Sequence, residues 1–345
     1  MSKRVLRVVF FIAGFVVLEP ALAQATCRFV RIVDWPVRIV RSHIIVDGAI
    51  NGQKVGIFLD TGGARSLVMR SAATRLDLPR RDAPGVRMFG IGGETKAEIA
   101  VIDEFKLGEM PIKGLQLLVA GEGDSGPDFD VLLGEDFLYR FDVEFDLPHN
   151  AVRLYQPKDC ATASLAYWTK DAVGEVEIDR IDDKQPKIAF TVSINGKDTD
   201  AILDSGAWST MLTTAQATAL GVTANSAGTA PAGTSRGLGS KTLDWYVGAF
   251  QSFAIGNEEI PDVRIRYADI YRDTTYTDTT SRITKNIARN QPMLLGADFL
   301  RAHRVLVSHS QRKMYFTYVG GPVFDTGERR APAAKASEAP TKPGP

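Results

Sequence analysis

Ile57-Phe58-Leu59-Asp60-Thr61-Gly62-Gly63 and, 144 positions later, Ala201-Ile202-Leu203-Asp204-Ser205-Gly206-Ala207 decide how this chain is read. Each is a short apolar run that delivers one aspartate into a turn of small residues. Upstream of each lies the same hairpin signal, Ile50-Asn51-Gly52-Gln53-Lys54 and Ile194-Asn195-Gly196-Lys197-Asp198. Asn-Gly accepts the positive φ of a two-residue turn, so both aspartates sit at the end of a hairpin's second strand. The first strands are Ile44-Ile45-Val46 and Ile188-Ala189-Phe190-Thr191-Val192.

The correspondence continues downstream. Ser66-Leu67-Val68-Met69 is aligned with Ser209-Thr210-Met211-Leu212, and each run leads into a short helix, 72–78 and 215–221, the second closed by Gly221. Gly90-Ile91-Gly92-Gly93 matches Gly237-Leu238-Gly239-Ser240 as a glycine-rich tip between strands, and Phe105-Lys106-Leu107-Gly108 matches Phe253-Ala254-Ile255-Gly256. Val131-Leu132-Leu133-Gly134-Glu135-Asp136-Phe137-Leu138 matches Met293-Leu294-Leu295-Gly296-Ala297-Asp298-Phe299-Leu300 at an offset of 162. The second copy therefore carries an insertion, which falls within 267–290. Ordered similarity at several places indicates a duplicated β-rich lobe.

The boundaries that follow are a leader over 1–23, an N-terminal lobe over 36–155, a polar linker over 156–184, a C-terminal lobe over 185–320 and a Pro/Ala-rich tail over 321–345. Lys3, Arg4 and Arg7 precede the apolar run Val8–Leu18 and the small-x-small site Ala21-Leu22-Ala23, the layout of a secretory signal; a buried N-terminal helix is the alternative. The run is short of the ~20 residues that span a bilayer. Without the leader the chain holds 38 basic and 40 acidic residues, which gives no electrostatic reason to bind nucleic acid or an anionic membrane. A periplasmic or extracellular location is expected. Cys27 and Cys160 are the two cysteines, read as one disulfide of an oxidising compartment, with a catalytic thiol the alternative. The tail is too poor in apolar residues to build a core and is expected to be disordered.

Asp60-Thr61-Gly62-Gly63 and Asp204-Ser205-Gly206-Ala207, each followed about seventy to ninety residues later by Leu-Leu-Gly, resemble the aspartic proteases of the pepsin and retropepsin clan. The resemblance runs from about Ile39 to Tyr318 and implies an all-β, bilobal acid-protease fold with a cleft between two barrel-like lobes. It implies catalysis by Asp60 and Asp204, which share one proton and activate a water. Thr61 and Ser205 would reach across to the partner lobe's backbone, and Gly62 and Gly206 would admit the backbone close to the carboxylates. Leu132-Leu133-Gly134 and Leu294-Leu295-Gly296 would pass beneath the catalytic loops. Gly90-Ile91-Gly92-Gly93, with its counterpart Gly237-Leu238-Gly239, resembles the flap that closes over an extended peptide. Both halves lie in one chain, so a monomer suffices, and no cofactor is implied.

Where pepsin-like chains carry Ser or Thr after the triplet glycine, this sequence has Gly63 and Ala207, followed in the second copy by the bulky Trp208. Fewer donors to the charged carboxylates imply a dyad that titrates higher. Asp136 and Asp298 are expected to cap the turns that follow them. His43, His149, His303 and His309 show no metal-ligand spacing and are expected to be exposed or hydrogen-bonded. The glycine-rich tips lack the Gly-Lys-Ser/Thr of a phosphate loop, and Asp269, Asp273 and Asp278 lack calcium-loop spacing, so 267–290 reads as a solvated loop beside the cleft. A peptide-binding or scaffold protein on the same fold is the competing function.

Overall fold

A computed structural model describes residues 26–90, 93–121, 129–181, 186–236, 242–270, 275–277, 284–286, 292–324 and 326. In each half six strands close into a barrel. The first barrel runs His43–Ile50, Gln53–Leu59, Val131–Leu133, Leu67–Met69, Met110–Ala120 and Gly93–Leu107, and the last of these pairs back to the first. The second repeats it with Ala189–Ile194, Lys197–Leu203, Met293–Leu295, Met211–Thr213, Glu258–Ala268 and Thr242–Ile255. The chain is thus an all-β, bilobal acid-protease fold.

Local chemistry explains the repeated hairpin. Asn51 and Gly52 adopt φ of 48° and 79°, and Asn195 and Gly196 adopt 52° and 71°. Two consecutive positive φ values are what the tightest hairpin turn demands. Each second strand is exposed near that turn and buried toward its end: Gly56 to Leu59 and Ala201 to Leu203 are inside. Each end also pairs in parallel with a Leu-Leu-Gly strand, Leu59 with Leu133 and Leu203 with Leu295.

Beneath the barrels the lobes share one antiparallel sheet. Asp142–Asp146 and Ala151–Lys158 form a hairpin from the first half, His303–Ser308 and Lys313–Tyr318 one from the second. Val143, Glu144 and Phe145 pair with Val307, Leu306 and Val305, which makes the sheet continuous between halves. Arg28–Val40 extends one edge and Gly174–Glu177 the other. Glu144, fully buried, is satisfied by Arg153, Arg304, Tyr155 and Tyr167, as a buried carboxylate requires.

Four sequence expectations are refined. The short helices start two residues and one residue earlier than expected, at Arg70–Arg75 and Thr214–Ala219. Within 267–290, Tyr267 and Ala268 belong to a buried barrel strand, and Thr275–Thr277 pairs with Thr284–Asn286 as a separate hairpin. The start of the tail is packed, because Phe324 meets Phe253 edge-on at 4.9 Å and the Thr326 carbonyl accepts from Arg266. Ile91, Gly92, Gly237, Leu238, Gly239, the leader and nearly all of the tail lie outside the described residues. Among the described residues no helix is long and apolar enough to cross a membrane.

Cys27 and Cys160 form a disulfide across 133 residues, beside the shared sheet. Closing a loop of that length stabilises by about 4–5 kcal/mol in the chain-entropy model. Cys27→Ser with Cys160→Ser is expected to lower the urea midpoint accordingly; an unchanged midpoint would show that the bridge does not constrain the unfolded chain.

Candidate active site

Asp60 and Asp204 meet where the two barrels face each other. The backbone N–H of each continues its strand pairing, Asp60 to the Leu133 carbonyl at 3.0 Å and Asp204 to the Leu295 carbonyl at 2.9 Å. Chain direction then reverses, and the loop N–H groups fold back onto the carboxylates. Asp60 Oδ1 accepts from Gly62 and Gly63 at 2.9 and 3.0 Å, while Asp204 Oδ1 accepts from Gly206 and Ala207 at 2.9 and 3.0 Å.

The second residues of the triplets lock the lobes together. Thr61 Oγ1 donates to the Leu203 carbonyl at 2.8 Å and accepts from the Ser205 N–H at 2.9 Å. Ser205 Oγ returns both bonds, donating to the Leu59 carbonyl at 2.8 Å and accepting from the Thr61 N–H at 3.0 Å. Both hydroxyls are buried. The third residues must be glycine for a steric reason. A Cβ on Gly62 would lie 2.3 Å from the Asp204 carboxyl, and one on Gly206 would lie 2.3 Å from Asp60 Oδ1. Each triplet's glycine therefore rests against the other triplet's aspartate.

Leu133, Gly134, Leu295 and Gly296 lie directly under these loops. A Cβ on Gly134 would fall 2.5 Å from the Gly63 carbonyl oxygen, and one on Gly296 2.5 Å from the Ser209 carbonyl carbon. Of the acids that follow, Asp298 accepts the Phe299 N–H of its own helix at 2.9 Å as expected, but the chief partners of both acids lie in the catalytic loops. Asp136 Oδ1 accepts from the Ser66 N–H and hydroxyl at 2.9 and 2.6 Å, and Asp298 takes the Thr210 N–H and hydroxyl at 2.8 and 2.7 Å. Ser66 and Thr210 in turn accept from the N–H of Gly134 and Gly296, both at 3.0 Å. Ser66 thus corresponds to Thr210, one residue from the alignment read in the sequence. Keeping the 144-residue offset of the aspartates would have found this pair.

Gly90 and Gly93 pair at the tip of the hairpin Arg80–Gly90 and Gly93–Leu107. The equivalent hairpin in the second lobe is Ala230–Arg236 with Thr242–Ile255. Trp208 stacks on Arg266, whose guanidinium lies 4.8 Å from its ring and 5.1 Å from that of Trp245.

Burial and the partner carboxylate push Asp60 well above the ordinary carboxylate range, against the pull of the Gly63 and Gly62 N–H groups. Burial also raises Asp204, opposed by the Ala207 and Gly206 N–H groups, by a hydrogen bond from Asp60 and by the charge of Lys187. Two adjoining carboxylates in this setting hold one proton between them.

A second buried acid, Glu135, stands behind this pair. Its N–H donates to the Gly63 carbonyl at 2.8 Å, and its side chain is fully buried, with neither oxygen hydrogen-bonded among the described residues. His309 Nε2 is 3.6 Å from Glu135 Oε2, and both of its ring nitrogens are likewise buried without a hydrogen bond. The expectation that the histidines are exposed or hydrogen-bonded holds for His303, which meets Glu258 and the Phe299 carbonyl. It fails for His309, because the turn of the shared sheet carries the ring under the first lobe. Burial, with the charges of Asp60 and Asp136, raises Glu135 to about 8, and burial lowers His309 to about 4. Between those values both are neutral.

The chain matches the aspartyl protease family over residues 46–137 and 190–299, together more than half its length. It belongs to that family, with one match for each lobe. No curated protein matches it significantly.

The folded protein favours neutral Glu135, so its penalty is absent below the unfolded value of 4.5 and grows until about pH 8. Glu135→Gln is therefore expected to be more stable than the wild type at pH 7, by roughly 2–4 kcal/mol at 1.36 kcal/mol per pKa unit. The difference should shrink toward zero near pH 4. Denaturant melts at the two pH values check this, and a gap independent of pH would contradict it.

Proposed function

We propose that the chain is an exported aspartic endopeptidase that hydrolyses peptide bonds with a water activated between Asp60 and Asp204. The reciprocal Thr61–Ser205 bonds carry this reading, because they place both carboxylates in one site with each Oδ1 tied to its own loop. The ionised aspartate takes a proton from water as the oxygen attacks the peptide carbonyl. The protonated aspartate donates to the carbonyl oxygen, giving a neutral tetrahedral diol. Collapse returns that hydroxyl proton to its aspartate, while the other aspartate delivers the water's proton to the leaving nitrogen as the C–N bond breaks.

An extended peptide would lie between the lobes under the hairpin that ends at Gly90 and Gly93, held as an added strand. The leader over 1–23 and the Cys27–Cys160 disulfide support export to an oxidising compartment. Since each lobe supplies one aspartate, one chain completes the site and a monomer suffices. The elevated titration of Asp60 and the lack of a hydroxyl at Gly63 and Ala207 support activity at mildly acidic to neutral pH.

Cleavage of an unfolded protein substrate between pH 3 and 8 tests the reading. Asp60→Asn and Asp204→Asn should each reduce turnover by at least about 10³-fold, and the wild-type maximum should fall above pH 4. Turnover that survives either substitution would refute the shared pair. A peptide that binds without being cut would make the chain a binding protein.

A further inference from the structure

The duplication makes the two aspartates near-equivalents, yet their surroundings differ at two places, and the first of these sets a charge beside only Asp204. The first is the residue across the hairpin from each aspartate. In the second lobe Ala189 pairs with Ile202, and the Leu203 N–H donates to the Ile188 carbonyl at 3.0 Å, which carries the pairing one residue further. Lys187 therefore stands opposite Asp204. In the first lobe Ile45 pairs with Phe58, so the same register sets His43 opposite Asp60. The His43 ring is packed among aromatics, 4.6 Å from Phe58 and 5.2 Å from Phe129. Lys187 is half-buried and interacts electrostatically with Asp204. A lysine ammonium thus stands beside Asp204 where the first lobe has an imidazole.

The second difference lies below the loops. Glu135, an acid, follows the Leu-Leu-Gly that underlies Asp60, whereas Ala297 holds the equivalent place under Asp204. Other charged neighbours are already committed. Asp298 faces Thr210, and Arg301 donates to the Trp208 carbonyl. From the first lobe Asp204 meets Asp60, and Glu135, whose neighbour is His309, interacts with Asp60. Glu135 is held neutral up to about pH 8 and adds no charge at its end, so the charge that distinguishes the two ends of the pair is that of Lys187.

We propose that Lys187 is a positioning residue that fixes the shared proton on Asp60, leaving Asp204 as the ionised base. This rests on the protease reading and makes it directional. Asp204 takes the proton from water, and Asp60 donates to the carbonyl oxygen. Lys187 acts through Asp204 and takes no part in bond making.

Two measurements decide it. In the pH profile of kcat/KM, Lys187→Met should move the acid limb upward by about half to one pH unit, as loss of a nearby cation raises a carboxylate's titration. Lys187→Arg should restore the wild-type limb. A merely structural lysine would lower kcat or stability and leave the limb in place, which would overturn the proposal. The second reads the carboxyls directly, by carbon NMR titration of aspartate-labelled protein assigned with Asp60→Asn and Asp204→Asn. Asp204 should be the first of the pair to ionise, and its titration should rise in Lys187→Met. If Asp60 ionises first, the proposal is wrong. A wild type without turnover would end the protease reading, while the NMR titration would still decide where the proton lies.

Discussion

Two hydroxyl groups buried at the junction of the lobes are the constraint on which the site depends. A buried hydroxyl needs partners, and a buried donor or acceptor left unpaired costs about 1–3 kcal/mol. Thr61 finds its partners on Leu203 and Ser205, and Ser205 finds its partners on Leu59 and Thr61. Neither lobe can satisfy its own triplet. The docked arrangement of the barrels completes all four bonds and brings two carboxylates together. The shared sheet beneath supports the same geometry by pairing Asp142–Asp146 directly with His303–Ser308.

Placing two carboxylates in a buried junction would be destabilising if both were charged. The structure meets this in two ways. Loop N–H groups supply two donors to each aspartate, which stabilise the charge that remains. Burial and mutual repulsion keep the second charge from forming. Glu135 behind Asp60 follows the same logic, as a neutral acid facing a neutral His309. The outer braces, Asp136 on Ser66 and Asp298 on Thr210, keep the loops from relaxing away from the pair.

Much of this was legible in the sequence because duplication writes each local rule twice. The Asn-Gly turns, the aspartates at strand ends and the Leu-Leu-Gly strands are local signals; their repetition in order indicated two lobes, and the resemblance to the pepsin and retropepsin clan implied one shared site. The braces were half visible: Asp136 and Asp298 stood out, but a one-residue slip in alignment hid Ser66 as the partner. Glu135 with His309 was not legible, since no motif joins a helix under one lobe to a turn of the shared sheet. The same holds for Arg28–Val40, whose place on that sheet's edge is set by pairing with Ala151–Lys158 and not by its own pattern. Lys187 opposite Asp204 could have been read by counting back from the Asn-Gly turn, although its electrostatic effect depends on burial that the sequence does not express.

The central claim is that Asp60 and Asp204 act as one unit on a tetrahedral centre. It is tested most directly by the affinity of an extended peptide whose scissile carbonyl is replaced by a hydroxyl-bearing tetrahedral carbon. Against the wild type this peptide should bind at least about 100-fold more tightly than its ordinary parent, as mimics of a transition state do. The advantage should disappear in both Asp60→Asn and Asp204→Asn. Equal affinity for the two peptides, or an advantage that persists in either variant, would contradict the account.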